Sequence, residues 1–211
     1  MNDATTQTYD NAQQRRGRII AAAIMLIVAL PMIVASVIYH TGIGMPTGTV
    51  NKGDLLSPPQ SIDQLQLRDA DGNPWQADTE RKRWRMLIPA TGQCDEQCQQ
   101  NLYITRQVHV RLGKDAYRVE RLFVLLDDTL DVEMQDFFRE EHPGLVVLNT
   151  ESARLNDLLA ATDLAGINPV AEGRYFLVDQ NGYLMMSYNP EHTGKELLAD
   201  VKKMLKVSYE E

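Results

Sequence analysis

Residues 84–98 read Trp84-Arg85-Met86-Leu87-Ile88-Pro89-Ala90-Thr91-Gly92-Gln93-Cys94-Asp95-Glu96-Gln97-Cys98, and the rest of the chain is read outward from them. The apolar run Trp84–Pro89 predicts a buried strand, and Leu102, Val108 and Leu112 recur at helical spacing over Asp95–Leu112. Cys94 and Cys98, the only 2 cysteines in 211 residues, therefore fall where a strand hands over to a helix. Four residues apart, they share one side of the first helical turn, close enough for one disulfide or one soft metal ion. Both chemistries use the thiolate, which the unpaired N–H groups of a helix N-terminus favour. Asp95 and Glu96 act the other way. Acids in a first turn complement the helix dipole, and beside two sulfurs they also attract cations and oppose thiolate formation, which predicts a slow, partner-specific dithiol.

Downstream, Val119–Leu126 is a near-continuous apolar run, as a central parallel strand requires. Val132–Glu141 is amphipathic, Leu145–Leu148 repeats the strand signal, and Ser152–Ala161 reads as a helix. Arg174–Val178 and Tyr183–Tyr188 flank Asn181-Gly182, a type I′ hairpin signal, and an amphipathic helix follows over Gly194–Lys206. Upstream, Leu65–Arg68, the turn Asp71-Gly72-Asn73-Pro74 and Trp75 read as a peripheral hairpin. Strands alternating with helices and ending in a hairpin and helix define an α/β layer fold with a mixed sheet.

The N-terminus sets the compartment. Ile19–Tyr39 carries no charge over about the 20 residues a helix needs to cross a bilayer, longer than a signal-peptide apolar region. Pro31 is tolerable in such a helix. Arg15, Arg16 and Arg18 precede the span and the next Lys or Arg after it is Lys52, so the N-terminus is expected to stay cytoplasmic. The expected organisation is a disordered tail over 1–18, a transmembrane helix over 19–40, a Gly/Pro-rich linker over 41–59, pinned near Leu55-Leu56, and one domain over 60–211. In a bacterial source this is a single-pass inner-membrane protein with a periplasmic domain, where disulfides persist. A net charge of −8 gives no cationic footprint for nucleic acid. Phosphate-loop, zinc-finger and nucleophile-elbow motifs do not occur.

With the anchor, the Trp84–Pro89 strand leading into Cys94 and Cys98, and the segment Tyr175-Phe176-Leu177-Val178-Asp179-Gln180-Asn181-Gly182, the chain resembles the thioredoxin-like superfamily over about residues 55–206, and within it the Sco/SenC group. That resemblance implies a thioredoxin-like mixed sheet flanked by helices. It also implies a role in cytochrome c oxidase assembly, with copper bound by the cysteine pair and a distal histidine. Two positions depart from the pattern. Asp95 stands where the group usually has proline, and Asn168–Arg174, which corresponds to the stretch bearing the copper-binding histidine, contains none.

Of the four histidines, His40 lies at the membrane exit, and His109, eleven residues along the helix from Cys98, is about 16 Å away. His142 at a helix end is expected to cap it as an imidazolium. His192, in the loop that a thioredoxin-like sheet returns toward the dithiol, is the candidate substitute ligand or base. Pro169 is expected trans, and Met185, Met186 and Met204 are expected in the packing.

The expected function is respiratory oxidase assembly through Cys94 and Cys98, by thiol redox or by handling copper, with an oxidase subunit or another dithiol protein as partner. Two alternatives stand beside it. One is a general or cytochrome-maturation thiol-disulfide oxidoreductase. The other is a membrane-tethered scaffold with a structural disulfide, disfavoured because so short a loop stabilises little.

Overall fold

The computed structural model describes residues 3–41, 51–77, 81–92, 94–127 and 129–208. The chain divides into two compact units, Met1–Thr49 and Val50–Glu211.

The first unit is a helix, α1 (Asp3–Thr41). Its stretch Arg15–Thr41 contains an 18-residue window with a mean hydropathy of 2.7, long and apolar enough to cross a membrane. The helix starts well before the 1–18 boundary expected of a disordered tail. That tail holds no proline and no glycine before Gly17, so an established helix can propagate into it. Residues 42–50 of the expected linker lie outside the described residues.

The second unit holds one six-stranded sheet: β1 (Asp54–Ser61), β2 (Trp84–Ala90), β3 (Val119–Leu126), β4 (Leu145–Thr150), β5 (Tyr175–Val178) and β6 (Tyr183–Tyr188), in spatial order β1-β6-β5-β2-β3-β4. The pairs β2·β3 and β3·β4 are parallel and the other neighbours antiparallel. Helices α2 (Glu96–Arg111) and α3 (Val132–Glu141) connect the parallel strands, and α4 (Ser152–Ala160) and α5 (Gly194–Val207) follow β4 and β6.

Both faces of the sheet are covered, which explains the unbroken apolar runs. On β3, Val119, Phe123 and Leu125 face the layer of α2, α3 and α5, while Leu122, Val124 and Leu126 face α4 and the short 3-10 turn Ile62–Leu65. Leu197, Val201 and Leu205, at i, i+4 and i+8 of α5, form its buried stripe, and a capping box of Thr193 and Glu196 starts the helix. Pro89 lies beyond Leu87, the last β2 residue paired to β5, so its missing N–H falls past the end of that ladder.

Two expectations need correction. The stretch read as linker contributes β1 from Asp54 onward, with Leu56 buried against the α4 side. Pro58 and Pro59 hide this strand from a pattern reading, yet they are compatible with a sheet edge, which is where β1 sits. The Asn181-Gly182 turn is not type I′, because only Gly182 has positive φ (84°). Asp179 Oδ1 instead accepts the N–H groups of Asn181 and Tyr183, and the β5·β6 register shifts between Leu177 and Val178.

Candidate functional site

Parallel β2 delivers the chain to the end of the sheet, and the loop after it enters α2 through Cys94. Asp95 caps α2: its Oδ1 accepts the Cys98 N–H at 2.8 Å. This places Cys98 in the first turn, and the two cysteines form a disulfide with Cα atoms 5.2 Å apart. Both are buried, at 7% and 8% exposure, at the edge of the α2-side core. The outer rim is polar and acidic, a shallow cleft lined by Asp95, Glu96, Gln97 and Gln100. The capping carboxylate thus occupies the helix N-terminus that would otherwise favour a thiolate.

The loop before β5 closes over the second turn of α2. Asn101, buried within the helix, donates from Nδ2 to the Gly173 carbonyl at 3.0 Å, and its Oδ1 accepts from Gln97 Nε2 at 3.1 Å. Gly173 has φ +60°, and a Cβ there would lie 2.3 Å from Gln97 Cγ and 3.2 Å from Pro190 Cγ. Glycine is required on both counts. The segment Asn168–Arg174 therefore meets the cysteine-bearing helix with backbone rather than with a side chain able to ligate. Its Asn168–Pro169 bond is trans, as expected.

His192 is committed elsewhere. Its Nδ1 lies 2.8 Å from Asn189 Oδ1, its Nε2 lies 3.0 Å from the Lys52 carbonyl, and its ring stands edge-on to Tyr188. Among the described residues no group of three or more His, Cys, Asp or Glu side chains is placed to hold a metal, so His192 is not brought into a ligand set with Cys94 and Cys98. Its neighbourhood instead anchors the segment entering β1. Asp200, fully buried, accepts the N–H groups of Lys52 and Gly53 and the Tyr188 hydroxyl (3.0 Å). Sequence reading passed over Asp200 and Asn101; polar residues on otherwise apolar helix faces were the available signal.

His109 bonds through Nε2 to the Val119 carbonyl at 3.0 Å, and burial lowers its pKa. His142 reverses the expectation of a charged cap. It is buried, and burial, followed by the positive charges of Arg121 and Arg106, pushes its pKa down to about 4, with Glu141 opposing weakly. The ring is neutral near pH 7. Because the folded protein binds this proton more weakly than the unfolded chain, its contribution to stability is full above about pH 6.5 and is lost as pH falls toward 4. His142→Gln is expected to remove from the pH–stability curve a fall on the order of 3 kcal/mol across that window. Superimposable curves for variant and wild type from equilibrium denaturation would contradict this assignment.

The family described as "Transmembrane-like, thioredoxin-like, C-terminal domain" matches residues 84–208. The chain belongs to this family. Its match runs from the first residue of β2 through the last turn of α5, so it contains the cysteine pair and both strands of the terminal hairpin. The fold of this family member is similar to that of solved Sco proteins. Yeast Sco1 is 14% identical, with a TM-score of 0.54 over 74% of this chain and 97% of that one. Arabidopsis thaliana ScoI, solved with copper bound, is 16% identical, with a TM-score of 0.51 over 71% and 98%. BsSco, a member of the Sco family of cytochrome c oxidase assembly proteins in which a disulfide switch was identified, is 14% identical, with a TM-score of 0.52 over 75% and 99%. These likenesses establish the thioredoxin-like fold. No curated protein matches the chain by sequence.

Proposed function

We propose that this family member is a membrane-anchored thiol-disulfide protein that reduces a cysteine pair of a partner during assembly of a respiratory oxidase. The observation that carries this reading is the Cys94–Cys98 disulfide, made by the chain's only cysteines, at the β2–α2 junction of a thioredoxin-like sheet. The Sco proteins of similar fold, BsSco with its disulfide switch among them, supply the biological setting. Arg15, Arg16 and Arg18 ahead of the apolar span support an N-terminus in the cytoplasm, an anchor over 19–40 and a thioredoxin-like domain in the bacterial periplasm.

In the reduced chain, one cysteine thiolate attacks a sulfur of the partner's disulfide. The partner's S–S bond breaks, a mixed disulfide forms, and the partner's other sulfur leaves as a thiolate. The second cysteine, once deprotonated, attacks the mixed disulfide and closes Cys94–Cys98, releasing the partner's remaining sulfur as a thiolate. Two electrons pass to the partner, and the two protons lost by the chain's thiols balance those taken up by the partner's thiolates. A dithiol donor must then reduce Cys94–Cys98 again. Direction follows from Asp95, whose charge beside the sulfurs disfavours the reduced thiolate form and so favours giving electrons away.

Copper is treated as cargo. Two thiolates suit a soft monovalent ion, but the imidazole that would suit the divalent state is missing from Asn168–Arg174, and that loop is closed against α2 by Asn101 and Gly173. The donor set therefore fits the three-ligand copper site of the Sco group poorly, and no step of the exchange runs through the metal.

The deciding experiment uses the full chain in non-ionic detergent. The reduced protein is titrated with monovalent copper, and the cysteine couple is equilibrated against glutathione, for wild type, Cys94→Ser and Cys98→Ser. A reversible couple without thiol-dependent copper binding is expected. Tight copper binding lost in both variants would replace the reductase reading with copper delivery, and an irreducible disulfide would leave only a scaffold.

Asp95→Asn isolates the charge, since asparagine caps a helix about as well as aspartate. The variant is expected to raise the thiolate fraction at neutral pH, and with it the alkylation rate of the reduced pair, roughly two- to threefold at low salt. An unchanged or slower alkylation rate would show that Asp95 caps the helix without tuning the sulfurs.

A further inference from the structure

A short hairpin is held against the outer edge of β4 by one antiparallel bridge, in which Arg68 and Asn149 exchange N–H···O=C bonds of 3.0 and 2.8 Å. Asp69 then turns the chain away from β4: its Oδ1 accepts the N–H groups of Asp71 and Asn73, and Trp75 returns to donate to the Leu67 carbonyl. A cleft of about 460 Å³ is left between the tip of this hairpin and the start of α3. Its lining is mostly apolar. Leu125 of β3, Val147 of β4 and Phe138 of α3 contribute to it from the core layer, Ala70 from the hairpin, and Leu130 and Gln135 from the start of α3. Val147 and Leu130 are only half-buried, so the lining is open to solvent. The cleft has the size of a pocket that takes a large side chain.

The cleft lies at the same end and on the same face of the sheet as the cysteine pair. Leu125 is the register partner of Ala90 across β2·β3, and Cys94 follows Ala90 by four residues. Leu125, Phe138, Cys94 and Cys98 share one core cluster. One strand spacing and four residues of chain put the Cys94 Cα within roughly 20 Å of the Leu125 Cα, a span that about six residues of extended peptide cover. The rim is acidic: Asp69 and Asp71 flank Ala70, Asp131 follows Leu130, and Asp95 and Glu96 border the cysteines. Arg68, at the base of the hairpin, donates to the Gly72 carbonyl at 2.9 Å.

We propose that this cleft docks the disulfide-bearing segment of the partner, as an extended stretch with one large apolar side chain within about six residues of its target cysteine and with lysine or arginine beside that side chain. The proposal rests on the thiol-exchange reading above and adds to it the determinant of partner choice. Burial of the apolar side chain supplies the affinity, and the aspartates on the rim reject acidic segments.

The test uses the full chain, reduced, in non-ionic detergent. Its rate is measured on synthetic disulfide peptides that carry a leucine flanked by lysines at each of the third to sixth positions from a cysteine, on the same peptides with serine for leucine or aspartate for lysine, and on oxidised glutathione. At the best position the leucine peptide is expected to react at least about tenfold faster than its serine counterpart. The aspartate peptide is expected to be several-fold slower at low salt, a gap that closes at high salt. Ala70→Trp, which fills the cleft from the hairpin, and Gln135→Trp, which fills it from α3, are each expected to bring the leucine-to-serine ratio to about one. Both positions are exposed, so the fold tolerates the change. Equal rates for leucine and serine at every position, no penalty for aspartate, or a preference that survives both tryptophan variants overturns the docking site, while reduction of glutathione leaves the exchange reading standing. Equal rates in a chain that is dimeric in detergent and made monomeric by Gln135→Trp would give the cleft to a second copy instead. Failure to reduce glutathione as well removes the exchange reading and the docking site with it.

Discussion

Serine at Cys94 or at Cys98 is expected to reduce thiol-disulfide exchange by on the order of a thousandfold or more, because a hydroxyl has no accessible anionic form at neutral pH and cannot form or resolve a mixed disulfide. The single variants differ from the double variant in what they accumulate. With only one sulfur left, the chain can still form a mixed disulfide with its partner, but no second thiol is available to release it. Non-reducing electrophoresis and mass spectrometry of cells expressing either single variant should therefore reveal a covalent complex that the double variant lacks, and the trapped species identifies the partner directly. An oxidase subunit in that complex supports the assembly reading, and a broad mixture of proteins supports a general oxidoreductase. Full exchange activity in either single variant would remove the cysteine pair from the mechanism. The fold should survive both substitutions, since the bridge spans only Cys94–Cys98 and closes too short a loop to contribute much stability.

Asp200→Ala is expected to lower the stability of the thioredoxin-like unit by about 3–4 kcal/mol, the largest loss we expect from any single side chain outside the apolar core. The carboxylate is 1% exposed and satisfies the N–H groups of Lys52 and Gly53 and the hydroxyl of Tyr188 at the same time. Removing it leaves these donors buried or half-buried with nothing to replace it. Tyr188 would be affected most, because its ring is stacked on Tyr175 at 5.2 Å and cannot turn its hydroxyl to water without breaking that stack. Asp200→Asn, which keeps one acceptor, should lose roughly half as much. Denaturant titration at a fixed disulfide state measures both, and a loss under about 1 kcal/mol for the alanine variant would show that the carboxylate is dispensable. Gly53→Ala probes the same junction from the other side, because its Cβ would lie 2.6 Å from two atoms of the Tyr188 ring.

The regular elements were readable where a single periodicity governs the residues. β3, α3 and β6 have the bounds the apolar pattern predicts, since each faces the core with a simple stripe or with both sides. β1 was not readable, because an edge strand carries prolines and little apolar alternation, and its identity depends on β6 being there to pair with it. The Asn181-Gly182 turn was placed correctly but given the wrong type, because Asp179 supplies hydrogen bonds that a two-residue signal does not reveal. Within the site, the position of Cys94 and Cys98 at the strand-helix junction follows from neighbours in sequence, whereas Asp95, read as an acid inside the first turn, is the N-cap just ahead of α2.

The sequence by itself determined the α/β class, the apolar span, the placement of the only two cysteines at a strand-helix junction, and the lack of a histidine in Asn168–Arg174. All of these are set by spacing over a few residues. Only the tertiary structure decided that His192 is held by Asn189 and Lys52, that Asn101 and Gly173 close the loop before β5 onto the cysteine helix, and that His142 is buried and neutral beside Arg121. The physical reason is the same in each case. A hydrogen bond between residues 72 or 140 positions apart, and the loss of solvent around a charge, exist only once the sheet has brought distant segments together.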